Sequence, residues 1–261
     1  MIMADSRLDE FIEWAGRMAD AAAPVAMKYF RSGVAIDRKA DLSPVTAADR
    51  EAESAMRAVI GEAFPDHGVI GEEHGKIRAD AEYVWVLDPI DGTKSFVTGK
   101  PLFGTLIALT RNGKPIVGVI DMPALKERWT GAEGRPTLYN DRPVKARPCS
   151  DMAEAWLYAT SPQMFTGDDF RAFERLREKS RSAVYGADCY AYGLLANGTV
   201  DIVCEAGLQP YDFCALSPVI KGAGGVFTDW QGEELTIRSN GRVLAAGDRK
   251  IHAQALEALA G

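Results

Sequence analysis

Leu8, Phe11, Ile12, Ala15, Ala19, Ala22, Ala26 and Tyr29 recur at intervals of three and four residues. That spacing predicts one apolar face of a long amphipathic helix, with Ser6 and Asp9 placed as a capping box at its start. Pro24 falls inside the pattern and has no amide hydrogen to give, so it is expected to kink the helix or divide it in two. A second helix is predicted over 46–62, stopped by Phe64-Pro65-Asp66. Short apolar runs at 68–71, 83–87, 103–110, 116–121 and 127–130 read as strands, and Asn112-Gly113 between two of them marks a hairpin. A stretch rich in proline and basic residues follows at 143–148. Beyond it the pattern predicts strand 156–159, helices 169–179 and 190–196, strand 200–204, helix 212–221, strand 225–228 and helix 251–259. We expect two halves, 1–148 and 149–261, the first rich in antiparallel strands and the second βαβ-like. Together they predict layered α/β sheets.

Composition narrows the function. The chain has 261 residues, 47% of them hydrophobic and 26% charged, enough for a substantial core. A formal charge of −7 argues against nucleic acid as a partner, which needs a clustered basic surface. No apolar run approaches a membrane span, since the best, 102–109, contains Gly104 and Thr105. Asp5, Asp9, Glu10 and Glu13 near the start are unlike a secretory signal. Cys149, Cys189, Cys204 and Cys214 form no CxxC pair, so reduced thiols in the cytoplasm are expected rather than disulfides or zinc. His67, His74 and His252 are the only histidines, which leaves acid–base work to carboxylates.

The segment Trp85-Val86-Leu87-Asp88-Pro89-Ile90-Asp91-Gly92-Thr93 is the most informative. An apolar strand delivers Asp88, proline is expected to stop the ladder, and Asp91 follows just before a glycine that permits a tight turn. Two acids converging there repel each other unless a cation lies between them. Hard oxygen ligands suit Mg²⁺ or Ca²⁺. The amides of Gly92 and Thr93 would open a helix at 93–97, where unpaired donors favour phosphate. Other acids stand at element ends: Glu72 and Glu73 after a short strand, Asp49 in a first helical turn spaced from Thr46 as a capping box, and Asp212 before an apolar helical face. Taken singly, each has an ordinary explanation as a turn, a solvated strand end or a helix cap.

Together they do not. Gly71-Glu72-Glu73, Asp88-Pro89-Ile90-Asp91-Gly92-Thr93 and Tyr211-Asp212 with Gly222-Ala223-Gly224-Gly225 resemble, in order, the motifs of the inositol monophosphatase family of metal-dependent phosphatases. The resemblance runs from the first helix to the end of the chain. It implies a layered α/β/α/β/α sandwich, commonly a homodimer, acting on a small phosphate monoester. It implies two or three Mg²⁺ ions held by Glu72, Asp88, the carbonyl of Ile90, Asp91 and Asp212. Asp49 and Thr93 would orient and deprotonate the attacking water, the amides of Gly92 and Thr93 would hold phosphate, and Glu205 would face the leaving group. Tyr211 stands where the family usually has Trp, Lys221-Gly222 replaces the more usual acid, and the stretch from Glu72 to Asp88 is short. None of these departures touches an implied ligand.

A finer resemblance concerns the substrate. The run from Asp88 to Leu109 and Asp188-Cys189-Tyr190-Ala191-Tyr192-Gly193 look like the histidinol-phosphatase branch, which works in histidine biosynthesis. Asp188 falls where related inositol phosphatases commonly have a small residue. It would either cap the following helix or receive the ammonium of a cationic leaving group. The alternatives are the same chemistry on an inositol phosphate, a sugar phosphate or a 3′-phosphonucleotide, or a non-catalytic phosphate-binding protein.

Overall fold

The computed structural model describes residues 2–33, 36–38 and 44–261, without the side chains of 2–6, 36–38 and 44–46. The first helix, α1 (Ile2–Tyr29), begins before Ser6, so Ser6 cannot be its cap, and it passes through Pro24 without dividing. Its buried residues include Phe11, Ala15, Ala19, Ala22 and Ala26, the predicted face, joined by Met18. Two short strands, β1 (Ile36–Arg38) and β2 (Pro44–Thr46), pair with each other before α2 (Ala47–Ala63). The expected cap at Thr46 lies outside the described side chains.

An eight-stranded sheet follows, made of β3 (Gly68–Gly71), β4 (Lys76–Ile77), β5 (Tyr83–Asp91), β6 (Gly104–Arg111), β7 (Lys114–Met122), β8 (Glu127–Ala132), β9 (Leu138–Tyr139) and β10 (Arg142–Pro143). Its order is β10-β9-β8-β7-β6-β5-β3-β4, antiparallel except where β3 runs parallel to β5. Helix α3 (Thr93–Val97) leaves the end of β5. Asn112 and Gly113, with φ of 52° and 80°, join β6 to β7 in the two-residue turn that their sequence predicts.

The second sheet contains β11 (Trp156–Ala159), β12 (Ser182–Tyr185), β13 (Ile202–Glu205), β14 (Val226–Asp229) and β15 (Val243–Ala246), in the order β12-β11-β13-β15-β14. Helix α4 (Gly167–Lys179) makes the crossover between the parallel pair β11 and β12. Helix α5 (Tyr190–Ala196) precedes β13, and α8 (Arg249–Ala260) closes the described chain. The continuous helix predicted over 212–221 is instead two, α6 (Pro210–Phe213) and α7 (Leu216–Gly222), separated at Cys214-Ala215. Strands β12 and β15 escaped the pattern, because β12 is only half-buried and β15 is a short apolar run without alternation.

Alternation along the strands builds the layers. Trp85 and Leu87 of β5 face the cluster made with α1 and α2, while Val84 and Val86 face α5, α7 and the second sheet. In β13, Val203 turns to that same central layer and Ile202 and Cys204 turn outward to α4 and α8. The order is therefore α1,α2 / large sheet / α5–α7 / small sheet / α4,α8, the five-layer arrangement. Burying one such large side chain contributes roughly 1.5–3 kcal/mol, and Phe11 alone sits against Phe64, Tyr83 and Trp85.

Helix α7 rests directly on the large sheet. A Cβ at Gly118 of β7 would lie 2.0 Å from the Ala215 carbonyl oxygen, and one at Gly131 of β8 would lie 2.5 Å from Pro218. Glycine at both positions lets the helix backbone touch the sheet, and this brings α6 against β5. Among the described residues no helix is long and apolar enough to cross a membrane.

Candidate active site

Strand β5 does not stop at Pro89. It continues to Asp91 with an irregularity between Asp88 and Asp91, so that Asp88 pairs with Leu106 and Asp91 with Gly104. Two residues, Pro89 and Ile90, thus oppose only Thr105, whose hydroxyl donates to the Pro89 carbonyl at 2.8 Å. In a regular strand, residues three apart point to opposite faces. The extra residue of the bulge reverses that parity and turns both carboxylates to one side. Asp88 is then held by the Ile90 amide, which donates to Oδ1 at 3.0 Å.

Asp212 arrives from the other half. It sits in the first turn of α6, and its Oδ2 accepts from the Gln209 amide at 2.7 Å. It is therefore the third residue of the helix rather than its cap. One carboxylate oxygen from each of Asp88, Asp91 and Asp212 lies within 4.8 Å of the others. Burial, followed by the charges of Glu72, Asp91 and Asp212, drives the Asp88 carboxyl well above the ordinary range. Asp91 is pushed up by burial, then by Asp188 and Asp212, against the pull of the Cys189 amide. That amide donates to its Oδ2 at 2.8 Å. Burial pushes Asp212 up to about 7, with Glu72 and Glu205 adding to the effect and the Gln209 amide opposing it. Glu72 therefore reaches the cluster in charge, from the turn after β3, with its amide bonded to the Leu87 carbonyl at 3.2 Å.

Anionic oxygens packed this closely, with Asp88 buried and Asp91 and Asp212 half-buried, are costly without a cation. A hard, oxygen-only donor set fits Mg²⁺ or a similar divalent ion. The fit rests on Asp88, Asp91 and Asp212, with Glu72 beside them.

Gly92 follows with φ of 81°, in the left-handed region that suits glycine, and α3 starts at Thr93. A Cβ at Gly92 would lie 3.1 Å from the Asp188 carboxyl carbon and 3.1 Å from the Leu102 carbonyl oxygen. The Thr93 hydroxyl donates to the Ile90 carbonyl at 3.2 Å. Ala48 packs with Ile90, Phe96 and Phe103, so the first turn of α2, which carries the buried Asp49, lies against this segment.

Asp188 is not a helix cap. Helix α5 begins at Tyr190, Cys189 precedes it, and Asp188 itself has φ of 49°. Its Oδ2 accepts from the Ser95 hydroxyl at 2.7 Å. Burial raises the Asp188 carboxyl, while Ser95, Lys100 and Lys94 pull it down. Lys100 is tied by its ammonium to the Gly186 carbonyl. Glu205 is buried at the end of β13, accepting from the Thr160 amide and the Tyr192 hydroxyl, both at 2.8 Å. Burial raises its carboxyl against those two bonds, with Asp188 contributing.

Sequence reasoning missed Ser95, Tyr192 and Glu53. The first two carry no signal without their partners. Glu53 did carry one, as a charged residue on the buried face of α2 among Ala48, Ala52, Met56 and Ile60.

Comparison with known proteins bears on this arrangement. The model of the inositol monophosphatase family matches residues 7–260. The chain is 51% identical to the bifunctional phosphatase IMPL2, chloroplastic, of Arabidopsis thaliana, over 98% of this chain and 77% of that protein. It is 40% identical to a histidinol-phosphatase of Mycobacterium tuberculosis, over 76% of this chain and 78% of that one. Among solved structures, an inositol monophosphatase from Zymomonas mobilis superposes with a TM-score of 0.90 at 45% identity, covering 97% of this chain and 98% of its own.

Proposed function

The chain belongs to the inositol monophosphatase family of phosphatases, and on that premise we propose that it hydrolyses L-histidinol phosphate to L-histidinol and phosphate in histidine biosynthesis. The observation that carries the hydrolytic reading is the convergence of buried Asp88 with half-buried Asp91 and Asp212. With Glu72 and the Ile90 carbonyl they would hold two or three Mg²⁺ ions. Bound there, the metal supplies Lewis-acid activation of water and neutralises charge on the phosphoryl and leaving oxygens. The chain's own groups position the rest. The amides of Gly92 and Thr93 hold the phosphate, and Thr93 with Asp49 orients the attacking water and takes its proton. Asp49 is buried, which suits a general base held in position away from bulk water.

Asp188 and Glu205 serve the leaving-group end. A histidinol leaving group carries an ammonium, which a fixed carboxylate would recognise. Ser95 holds one Asp188 oxygen in place, and Glu205 is fixed on both oxygens. A histidinol-phosphatase among the similar proteins supports the substrate. The likeness to the Zymomonas mobilis enzyme supports a second reading, an inositol monophosphate. Phosphate release from a panel of histidinol, inositol, sugar and 3′-nucleotide monoesters, with Mg²⁺ and with EDTA, tests both. Preference for inositol phosphate selects the second reading, and full activity in EDTA refutes both.

The reading includes a homodimer and a reducing cytoplasm. All four cysteines are free. Light scattering on the purified protein measures the first, and localisation of a tagged chain the second.

A further inference from the structure

Glu53 is a carboxylate without solvent: its exposure is 0%. Its Oε2 accepts from the Glu73 amide at 2.7 Å, and its Oε1 accepts from the His74 amide at 3.2 Å and from Arg57 Nε at 2.7 Å. Arg57 also donates to the Gly75 carbonyl at 2.6 Å, and His74 Nε2 lies 3.0 Å from the Arg50 carbonyl oxygen. One face of α2 therefore clamps the turn 72–75 that joins β3 to β4. Gly71 makes room for the clamp, because a Cβ there would lie 2.0 Å from Glu53 Oε1. The turn carries Glu72, and the hydrogen bonds of Glu53 go to Arg57 and to the two residues after Glu72.

Hydrogen bonds to a charged acceptor are the strong ones. Burying an acid on a helix face that otherwise carries, besides Asp49, alanine, methionine and isoleucine is costly unless its charge is met by such bonds. We propose that Glu53 is a positioning residue for the metal site: by holding the two amides after Glu72, it fixes where the Glu72 carboxylate meets Asp88 and Asp212. The inference rests on Glu72 being a metal ligand. Partners behind a ligand typically change metal affinity about 10–100-fold when lost.

Glu53→Gln keeps the volume but turns one acceptor into a donor facing N–H groups. Calorimetric titration of the EDTA-stripped protein with Mg²⁺ alone should show its Kd rise by roughly 10–100-fold, with kcat at saturating Mg²⁺ near that of the wild type. Gly71→Ala displaces the carboxylate from the other side and should weaken Mg²⁺ in the same direction. Arg57→Gln, which leaves both amide bonds, should do so less, and it serves if Glu53→Gln does not fold. Ile60→Val lowers stability on the same helix without touching the turn, so its Mg²⁺ affinity should be unchanged. A wild type that fails to bind Mg²⁺ overturns the metal reading and this inference with it. Normal wild-type binding with an unchanged Kd in all three clamp variants, or an equal loss in Ile60→Val, overturns this inference alone.

Discussion

Replacing Asp91 by Asn should make the metal-free protein more stable and the enzyme inactive, two effects of opposite sign. The carboxylate oxygens of Asp88, Asp91 and Asp212 lie within 4.8 Å of one another. Two full charges at that distance repel by about 3.5 kcal/mol at an effective dielectric constant of about 20. The site already relieves part of this by protonation, since all three carboxyls are raised. Half of one pair's repulsion, about 2 kcal/mol, is then left to remove at neutral pH. Against this, the Cys189 amide keeps an acceptor at position 91 but loses a charged one, a cost of about 1 kcal/mol. The net gain of about 1 kcal/mol corresponds to a Tm roughly 2–4 °C higher in EDTA for a chain of this size. Added Mg²⁺ should raise the wild-type Tm and the variant's much less, because the variant lacks one ligand. Phosphate release should fall by orders of magnitude. Thermal denaturation with and without Mg²⁺, beside phosphate assays on the same samples, measures all of it. A variant less stable than wild type in EDTA, or one that keeps its Mg²⁺ shift and its turnover, would refute the account of the cluster as repelling ligands.

Thr93→Ala loses a half-buried bond to the Ile90 carbonyl worth about 1 kcal/mol, whereas loss of a water-orienting group should cut kcat by ~10²-fold or more with little change in KM. A melting curve that falls with kcat intact would leave Thr93 a structural role only. Asp188→Asn retains an acceptor for Ser95 and a residue tolerant of the left-handed backbone. It should lower kcat/KM for histidinol phosphate roughly 10–150-fold, the range of a charge-assisted bond of about 1.5–3 kcal/mol, and leave a monoester with an uncharged leaving group nearly unaffected. Equal losses on both substrates count against the ammonium contact. His67 is buried between Phe64 and Tyr83, and burial, with Arg7 second, pulls its pKa below 6.5. A histidine whose folded pKa is depressed contributes stability that is full above about 6.5 and is lost as pH falls toward the folded value. His67→Phe keeps the stacking and should gain Tm relative to wild type between pH 8 and 5.5. An unchanged difference across that window would rule out His67 as the group protonated.

The sequence by itself marked the carboxylates that converge, Asp88, Asp91 and Asp212, and most of the scaffold. Periodicity marks the buried face of α1, and Asn112-Gly113 marks its hairpin, because both are local consequences of side-chain spacing and backbone freedom. The DPIDGT run and its partners point to the chemistry through their joint resemblance to one family's motifs, since each acid taken singly has an ordinary structural explanation. Tertiary structure decided what depends on groups distant in the chain. The bulge that turns Asp88 and Asp91 to one side is a matter of pairing with β6, invisible in β5 alone. The close seating of α7 on Gly118 and Gly131 of the sheet is likewise a contact that no helical period encodes. Asp188 was open between a cap and a leaving-group contact, and its left-handed backbone and its bond to Ser95, 93 residues away, exclude the cap. Glu53 was a charge on an apolar face with no visible reason, and its reason is a turn 20 residues away. Spacing reports which faces are buried, but a buried polar group takes its meaning from its partner, and partners meet only once the sheets have closed.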